Sequence, residues 1–495
     1  MAIRLSGMVS GLDTDAMIDE LVSAYSKKKD NIYKEQQWIT YQQDAWKALN
    51  TKVYSFYSKS LSNMRFSSAY AKKAVTISDS TKAVVSGSSS AVNGTQKLRI
   101  ESLAKSGYLT GAELDGTVKG DTKLSELGIT DGTINISVDG KSKDIELNGD
   151  MSVNQFVAKL KEAGVAANFD EKNQRFFVSS LTSGEAADFS LTSTDDAGAS
   201  ALMTLGLSEE AEGAVRIKGE DAVIYLNDAK FKSNTNSFSI NGLNITATAE
   251  TGDQEVSITT ATDVQGIYDS IKGFIYEYNE LIKEMESLVN ADSKGEYEPL
   301  TDEEMEEMTE KQIEKWEDKL KEAALSGDDT LKSVISSMKM AMATGVEVNG
   351  KTLSLASFGI KTSGYFLSGE NEKGVYHIDG DSEDGTSSGN ADKLMSAIAT
   401  DPDTTIEFFT KLATELYNKL TAKMSASSIS SAYTLYNDKH MKSQYDRYED
   451  KLDDWEERIE EMREKYVKQF SAMESALSSL TSQQSSLASL LGTNY

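Results

Sequence analysis

The chain has 495 residues, too many for a single hydrophobic core, and this length predicts about three domains. Its formal net charge of −28 argues against nucleic-acid binding and against adhesion to anionic membranes, because both need clustered basic surface. The absence of cysteine excludes disulfides, thiolate nucleophiles and cysteine-ligated metals. No segment is long and apolar enough for a membrane helix, and the N-terminus lacks the hydrophobic core of a cleavable signal peptide, so we do not expect signal-directed secretion.

A helical pattern extends over residues 13–66, and either Asp13 or Thr14 is a suitable N-cap for it. Apolar residues recur along this segment in alternating steps of three and four, which is the spacing of a coiled coil. The repeat turns polar at three consecutive fourth-step positions, and it reads Ile18, Leu21, Tyr25, Lys28, Ile32, Glu35, Ile39, Gln42, Trp46, Leu49, Val53, Phe56. Because an isolated amphipathic helix gains little from propensity alone, this stripe needs a partner from the same chain or from another subunit.

After residue 73 the sequence changes to an alternation of apolar and polar residues, which predicts β-strands. The pair Asp139–Gly140 is typical of a hairpin turn, and Ser152 with Gln155 predicts a capping box at the start of a short helix over 153–163. We therefore expect two β-rich head subdomains, residues 74–115 with 213–262 and an inserted subdomain over 116–212 that contains the short helix.

Helical periodicity resumes at Val264 and predicts helices over 264–285, 302–323, 329–343 and 403–424. Residues 350–390 return to short strands and glycine-rich loops, with a tip at 379–390 that we expect to be disordered. Residues 45–73 and 263–440 are then expected to form a helical leg domain that includes a short β segment at 344–390.

A second seven-residue repeat follows near the C-terminus, in a helix expected to begin near Tyr433. It reads Tyr445, Tyr448, Leu452, Trp455, Ile459, Met462, Tyr466, Gln469, Met473, Ala476, Leu480, Gln483, Leu487, Leu490. Opposite charges favour pairing of the two ends, because residues 1–75 hold eleven Lys/Arg against seven Asp/Glu, whereas residues 438–474 hold eight against twelve. The predicted ends are a flexible helical arm over 1–44 and a coiled-coil arm over 441–495. The last twenty residues are rich in Ser and Gln, and we expect them to be disordered until the subunit assembles.

The alternative for the two repeats is an ordinary packing of two helices inside one domain. The polar residues Lys28, Glu35 and Gln42 argue against a closed intramolecular core, which normally excludes such side chains. The predicted fold class is thus an α+β multidomain protein, with a coiled-coil or bundle leg built from both chain ends and the central helices, and with β-rich head subdomains inserted.

No catalytic, cofactor or metal site is predicted from the residues. His377 and His440 are the only histidines, and neither lies in a spaced metal-ligand motif. The run Asp379–Gly385 resembles a calcium loop, but its glycine falls one place late for the sharp turn, so a solvated loop is favoured. The acidic run 302–307 is interpreted as the charged first turn and solvent face of a helix.

Several motifs along the chain share one family resemblance. The N-terminal motif is Ser10–Asp15 followed by Ile18–Leu21, and the others are Ser102–Ala104, Tyr278–Leu281, Tyr297–Asp302, Ile313–Glu317 and Phe358–Ile360. Together they resemble the bacterial flagellar filament cap family, hook-associated protein 2, and residues 130–190 resemble a β-rich insert shared with flagellins. Each motif alone is weakly specific, whereas their joint occurrence along nearly the whole chain is specific.

The resemblance implies an extracellular structural protein at the flagellar filament tip. It implies export, unfolded and without a cleavable signal peptide, by the flagellar type III apparatus and its chaperone. It also implies a ring-shaped homo-oligomer that promotes the insertion and polymerisation of flagellin, as filament elongation and motility require, and that contacts hook–filament junction proteins. Some caps of this family bind host mucin through the head. The residues expected at the assembly interface are Ile18, Leu21, Tyr25, Ile32, Ile39, Trp46, Leu452, Trp455, Ile459, Met462, Tyr466, Leu480, Leu487 and Leu490.

Two other functions are compatible with the same features. A surface adhesin or fibre protein that binds host glycans through the β-rich head would also have coiled-coil ends, but its loss would leave filaments intact. A surface glycoside hydrolase would need a pair of carboxylates in the head, which the sequence cannot identify among 79 acidic residues.

Overall fold

The structure is a computed structural model and describes residues 10–364 and 368–490. The chain forms two compact units, Met1–Tyr70 with Val264–Tyr495, here called the helical unit, and Ala71–Asp263, here called the β unit. The β unit is an insertion in the sequence of the helical unit, and its ends lie side by side, since the backbone N–H of Asp263 donates to the carbonyl of Lys72 over 3.0 Å. The predicted α+β multidomain fold class is confirmed.

The helical unit begins with helix α1, Thr14–Phe56, which continues through a π-helical turn, Tyr57–Leu61, into the short helix α2, Ser62–Met64. Asp13 caps α1, because its side chain accepts a hydrogen bond from the backbone N–H of Ala16 over 3.0 Å. The predicted helix over 13–66 is therefore confirmed within two residues. Helix α1 runs without interruption past residue 44, where the sequence placed the limit between arm and leg.

The β unit contains antiparallel strands and two helices, of which only the first, α3, was predicted: β1 Lys73–Ile77, β2 Ala83–Gly87, β3 Gly94–Ser102, β4 Ser106–Thr110, β5 Asp131–Val138, β6 Lys141–Asn148, α3 Val153–Glu162, β7 Val165–Asp170, β8 Arg175–Ser183, β9 Phe189–Ser193, α4 Asp196–Thr204, β10 Val215–Ile217, β11 Ala222–Leu226, β12 Ala229–Ser233, β13 Ser237–Ile240, β14 Leu243–Ala247 and β15 Val256–Thr262. The hairpin between β5 and β6 turns at Asp139 and Gly140, both with positive φ, as a type I′ turn requires. The capping box of Ser152 and Gln155 is present at α3.

Two hydrophobic cores hold the β unit together. One lies at the sheet β1-β15-β3-β11-β12 and the smaller sheet β13-β14-β2. The other lies where α3 and α4 cover the sheets β10-β4-β8-β7 and β6-β5-β9, with Phe156 and Phe176 at its centre. Strand β4 pairs with both β10 and β8 in the second group of sheets, although β4 and β10 lie outside the predicted inserted subdomain 116–212. The limits of the two predicted head subdomains stay a prediction.

The rest of the helical unit consists of helices around four short strands: α5 Val264–Asn290, α6 Asp302–Glu306, α7 Glu310–Ala323, α8 Asp329–Ala343, β16 Val346–Val348, β17 Lys351–Leu353, β18 Ile360–Thr362, β19 Tyr376–Ile378, α9 Lys393–Thr400, α10 Pro402–Lys423 and α11 Asp438–Leu490. The core packs α5, α8 and α10 against the end of α1. Within the described residues, no helix is both long and apolar enough to cross a membrane.

Three predicted helical features differ from the structure. The single helix expected over 302–323 is broken, because the N–H of Thr309 donates to Gln312 over 3.0 Å in a new capping box. The terminal helix begins at Asp438 rather than near Tyr433, whose φ of 63° is left-handed and incompatible with a helix. Of the last twenty residues, which were expected to be disordered, 476–490 are helical, because adding a residue to an existing helix avoids the cost of nucleation, and 491–495 lie outside the described residues.

Candidate assembly interface

The two chain ends form one antiparallel pair of helices, in which α1 packs along α11. This pair over residues 10–45 and 438–490 is here called the arm. Ser10 contacts Glu474 at one end of the arm, and Trp46 contacts Tyr436 at the other. The pairing that the charges of the two ends favour is therefore present within a single chain.

The base of the arm is fixed to the core of the helical unit. The rings of Trp46 and Tyr436 stack with their centroids 5.4 Å apart, and only 2% of Trp46 is exposed. The side chain of Asn50 donates to the carbonyl of Tyr433 over 3.2 Å and accepts from the N–H of Leu435 over 2.9 Å. Because these bonds join α1 to the segment before α11, the base has one defined geometry. Trp46 is thus placed inside the core, whereas the sequence placed it on the assembly seam.

The middle of the arm is held by a partly exposed seam. The ring centroids of Tyr25 and Trp455 lie 6.3 Å apart, and the Lys28 ammonium lies 5.4 Å from the Trp455 ring. Ile18 and Ile39 are buried, while the following predicted seam residues are half-buried: Tyr25, Ile32, Leu452, Trp455, Ile459, Met462 and Tyr466. Half-buried side chains contribute less to stability than a closed core, so this seam is weaker than the base.

The tip of the arm ends with α11 extending beyond the first described residue of the chain. Asp19 forms an ion pair with Arg463, and Ser10 binds the carboxylate of Glu474 through its backbone N–H and its hydroxyl. Helix α11 continues for sixteen residues past Glu474.

Two of the predicted interface leucines, Leu480 and Leu487, are exposed at this tip, and a third, Leu21 of α1, is exposed nearer the middle of the arm. Leu21 is 43% exposed, Leu480 60% and Leu487 57%. The side chain of Leu490 lies outside the described residues. Leu480 and Leu487 are seven residues apart, so they lie on one face of α11 in a part of the helix that is otherwise mostly polar.

Two buried residues of the α1 seam were missed by the seven-residue repeat. Val22 is 5% exposed and Gln36 is 5% exposed, whereas the predicted seam residues Lys28 and Glu35 face solvent. Val22 lies one turn after the buried Ile18, and Gln36 lies one turn before the buried Ile39, so both belong to the buried face of α1. The apolar spacing of Ile18 and Val22 was the signal available in the sequence.

A further part of the helical unit packs on the opposite face of α1. The Lys34 ammonium lies 2.6 Å from Glu304 and 3.8 Å from Glu298, and Lys294 lies 4.9 Å from the Trp38 ring. Burial raises the pKa of Asp30, and the nearby carboxylate of Glu303 raises it further. The segment from Lys294 to α7 thus holds α1 through the contacts of Lys34 and Lys294, while Glu303 repels the carboxylate of Asp30. The motif Tyr297–Asp302 contributed to the family resemblance, but it did not predict that this segment contacts α1.

The acidic loop 379–390, expected to be disordered, is ordered and partly buried. Asp381 accepts hydrogen bonds from Lys272, over 2.7 Å, and from Tyr276. Burial raises the pKa of Asp381, but the hydrogen bonds from Lys272 and Tyr276 outweigh it and hold the pKa below its usual range. The sequence missed this order because Lys272 and Tyr276 are more than 100 residues away in the chain.

The same loop pairs with both neighbouring strands of the helical unit. Lys361 of β18 binds Asp379 over 3.0 Å, and Nδ1 of His377 in β19 lies 2.7 Å from Asp384. Cations and donors therefore neutralise the carboxylates from within the protein. Across the parts of the chain that the structure describes, no group of three or more His, Asp or Glu side chains is arranged to hold a metal ion.

These features define a structural protein that presents both chain ends as a helical arm with an apolar tip and carries an inserted β unit. The comparisons with known proteins identify the family. The model described as "Flagellar hook-associated protein 2 C-terminus" matches residues 219–482, and the model of the N-terminus of the same protein matches residues 10–107. The chain belongs to the flagellar hook-associated protein 2 family and is a filament cap protein of the bacterial flagellum.

Relatives and a solved structure agree with this membership. The flagellar hook-associated protein 2 of Halalkalibacterium halodurans is 23% identical over 81% of this chain and 78% of its own length. The B-type flagellar hook-associated protein 2 of Pseudomonas aeruginosa is 26% identical over 66% of this chain and 63% of its own length. The crystal structure of domains D1–D2–D3 of the flagellar cap protein from Escherichia coli matches the fold with a TM-score of 0.50 at 17% identity, covering 81% of this chain and 99% of that chain. No comparison gives support to the adhesin alternative.

Proposed function

We propose that this cap protein promotes the insertion and polymerisation of exported flagellin by docking the tip of its arm on the filament end. The observation that carries the proposal is the exposed leucine stripe at Leu480 and Leu487 on the part of α11 that extends past Glu474. Full burial of a leucine contributes about 1.5–3 kcal/mol, so two or three such side chains suffice for specific but reversible docking.

The partly exposed seam of the arm suits a surface that must follow a growing filament. A cap has to rearrange each time a subunit is added, and a half-buried seam can open at a smaller cost than a closed core. The exposed Glu35 at the edge of the seam adds no apolar contact to it. The fixed base at Trp46 keeps the arm attached to the helical unit while the seam moves.

The proposal includes partners and a route of export. The partners are flagellin, hook–filament junction proteins, further copies of this chain in a ring, and the flagellar type III export apparatus with its chaperone. Export without a cleavable signal peptide is supported by the composition, since no cysteine and only two prolines leave few slow steps when the chain refolds outside the cell. The division into arm, leg and nested head subdomains is part of the same proposal.

Replacing the two exposed leucines tests the docking role. In cells that carry Leu480→Ser with Leu487→Ser, we expect short or absent filaments and flagellin released into the medium, because the tip loses its apolar contact. Filament length by electron microscopy and flagellin in the culture supernatant are the measurements. Deletion of residues 477–495 should give the same result more strongly.

A matched control separates docking from a general effect of surface change. Met340 is 61% exposed on α8, so Met340→Ser removes a comparable apolar side chain far from the arm tip in sequence. Filaments of this variant should have normal length. Normal filaments in the double leucine variant, with the protein exported at its usual level, would refute the proposal.

A further inference from the structure

Helix α11 carries two parallel strips of charge along the middle of the arm, between residues 447 and 465. The first, here called the basic strip, consists of Arg447, Lys451, Arg458 and Lys465. The second, here called the acidic strip, consists of Asp450, Asp453, Glu457, Glu460 and Glu464. All nine side chains are exposed.

The strips lie on different sides of the helix and both leave the seam free. At 100° per residue, the centre of the acidic strip is about 120° from the centre of the basic strip. The basic strip borders the seam, since the Lys451 ammonium lies 5.1 Å from the ring of Tyr448 and the Arg458 guanidinium 5.2 Å from the ring of Trp455. The acidic strip faces away from α1. The arm therefore presents opposite charge in two directions.

Most of these charges have no ion-pair partner among the residues that the structure describes. Glu464 pairs with Lys468 on its own helix, while neither the four basic side chains nor Asp453, Glu457 and Glu460 form an ion pair within the described ranges. The arm thus displays complementary charges that its own chain leaves unused.

From this arrangement we infer that the arms of neighbouring copies of this chain pair side by side, with the basic strip of one α11 against the acidic strip of the next. A second copy fits because both strips share one helix and one seven-residue spacing: Lys451, Arg458 and Lys465 repeat in step with Asp450, Glu457 and Glu464. This inference rests on the self-association in the proposed function and gives it a surface.

The geometry also favours a closed ring of copies. Lys451 and Asp450 differ by one residue, which is a rise of about 1.5 Å along the helix axis. Neighbouring copies are therefore shifted very little along that axis, as a closed ring requires and an open helical filament does not. Because the two strips diverge by about 120° rather than 180°, successive copies turn around an axis rather than extend in a flat row. Asp454 and Glu461 lie between the strips. A head-to-tail contact of this kind closes when its rotation completes a circle.

Reversal of each strip, alone and together, tests the inference on the purified full-length chain. The basic-reversed variant carries Lys451→Glu, Arg458→Glu and Lys465→Glu, and the acidic-reversed variant carries Asp450→Lys, Glu457→Lys and Glu464→Lys. Each should associate at least about tenfold more weakly than the original chain, because like charges then face each other. The variant with all six changes should associate as the original chain does, since the strips have exchanged places.

Sedimentation velocity at several concentrations and two salt levels measures the association. The original chain should associate more weakly at high salt, because exposed ion pairs are screened. The matched control is Lys311→Glu, Lys315→Glu and Lys319→Glu on α7, which changes the net charge by the same amount as the basic-reversed variant and should leave association unchanged. Circular dichroism should show the same helix content in every variant.

Three results would overturn the inference. They are an original chain that stays monomeric at every concentration, single-strip reversed variants that associate normally, and a variant with all six changes that does not regain the association of the original chain. These outcomes are distinct from failure of the docking proposal. Association is measured without flagellin, whereas docking is measured by filament length in the leucine variants.

Discussion

Single residues in the acidic loop show how a sequence that looks disordered becomes fixed by distant partners. Asp381 is 3% exposed, and its carboxylate is bound by Lys272 and Tyr276 of α5. Glu383 also binds Lys272, over 2.7 Å, but its side chain is largely exposed. The two carboxylates therefore share one cation but differ in burial, so their contributions to local stability should differ.

Replacement of Asp381 by asparagine should release the loop. We expect Asp381→Asn to lower the local free energy of unfolding of residues 376–392 by about 2 kcal/mol, the usual range for a hydrogen bond to a charged group. Native-state hydrogen exchange of peptides that cover the loop measures this change. The control Glu383→Gln should cost less than about 1 kcal/mol, because an exposed ion pair contributes little. Equal effects of the two variants would contradict this account.

The same carboxylate gives the loop a dependence on pH with a definite sign. The pKa of Asp381 is lowered in the folded protein, so its stabilising contribution is complete above the ordinary aspartate pKa of about 3.9. The contribution is lost as the pH falls from there through the lowered value. Protection of the loop against exchange should therefore decrease in acid, and it should decrease less in Asp381→Asn.

At the scale of elements, the arm combines a fixed base with a weak seam. Trp46 and Tyr436 are buried at the base, whereas Trp455 is half-buried in the middle and Leu480 is exposed at the tip. Stability therefore decreases along the arm from base to tip. Local opening is expected to follow the same gradient, because regions with few buried apolar contacts open first.

Truncation of the central aromatic residue should open the arm and leave the core closed. We expect Trp455→Ala to raise hydrogen exchange of residues 14–30 and 446–474 about tenfold or more, since it removes the contacts with Tyr25 and Lys28. Peptides from α5 and α8 should exchange at unchanged rates. The matched change Trp316→Ala, in α7 outside the seam, should leave exchange of residues 446–474 unaltered. Rates at the seam that do not respond to Trp455→Ala would show that another contact holds it.

The seven-residue repeats were sufficient to predict the two terminal helices, because apolar periodicity is a local property of the sequence. The opposite charges of the two ends favoured their pairing, but the repeats left open whether the partner was in the same chain or in another subunit. Their finer details were not predictable. Gln36 is buried on the seam one turn before Ile39, although the repeat passes through Glu35. The break at Thr309 depends on a capping box that competes with a continuous charged helix. The contact of Lys34 with Glu304 joins segments 270 residues apart.

On the scale of the whole molecule, the chain consists of two compact units. The β unit has its own hydrophobic cores, and its first and last strands, β1 and β15, pair with each other. The helical unit closes its core with residues from both sides of the insertion. Each unit thus meets the usual requirements of an independent folding domain.

Each unit should fold without the other. We expect residues 71–263, produced alone, to give a cooperative unfolding transition with the strand content of the full chain. We also expect a chain in which a short Gly–Ser linker joins Tyr70 to Val264 to keep the helix content of the helical unit, because Lys72 and Asp263 are hydrogen-bonded neighbours. Circular dichroism and thermal unfolding of both products are the measurements. A linker chain that lacks cooperative unfolding would show that the helical core needs the β unit.

Helix α11 runs for 53 residues without a glycine or a proline, a length of about 80 Å at the usual rise. Such a rod has no hinge of its own, so a displacement at its far end is carried along the backbone to Asp438, where hydrogen bonds from the preceding turn anchor it. A displacement of the far end of α11 should therefore act as a torque on the helical core at Asp438, so that the core senses the position of a residue many turns away.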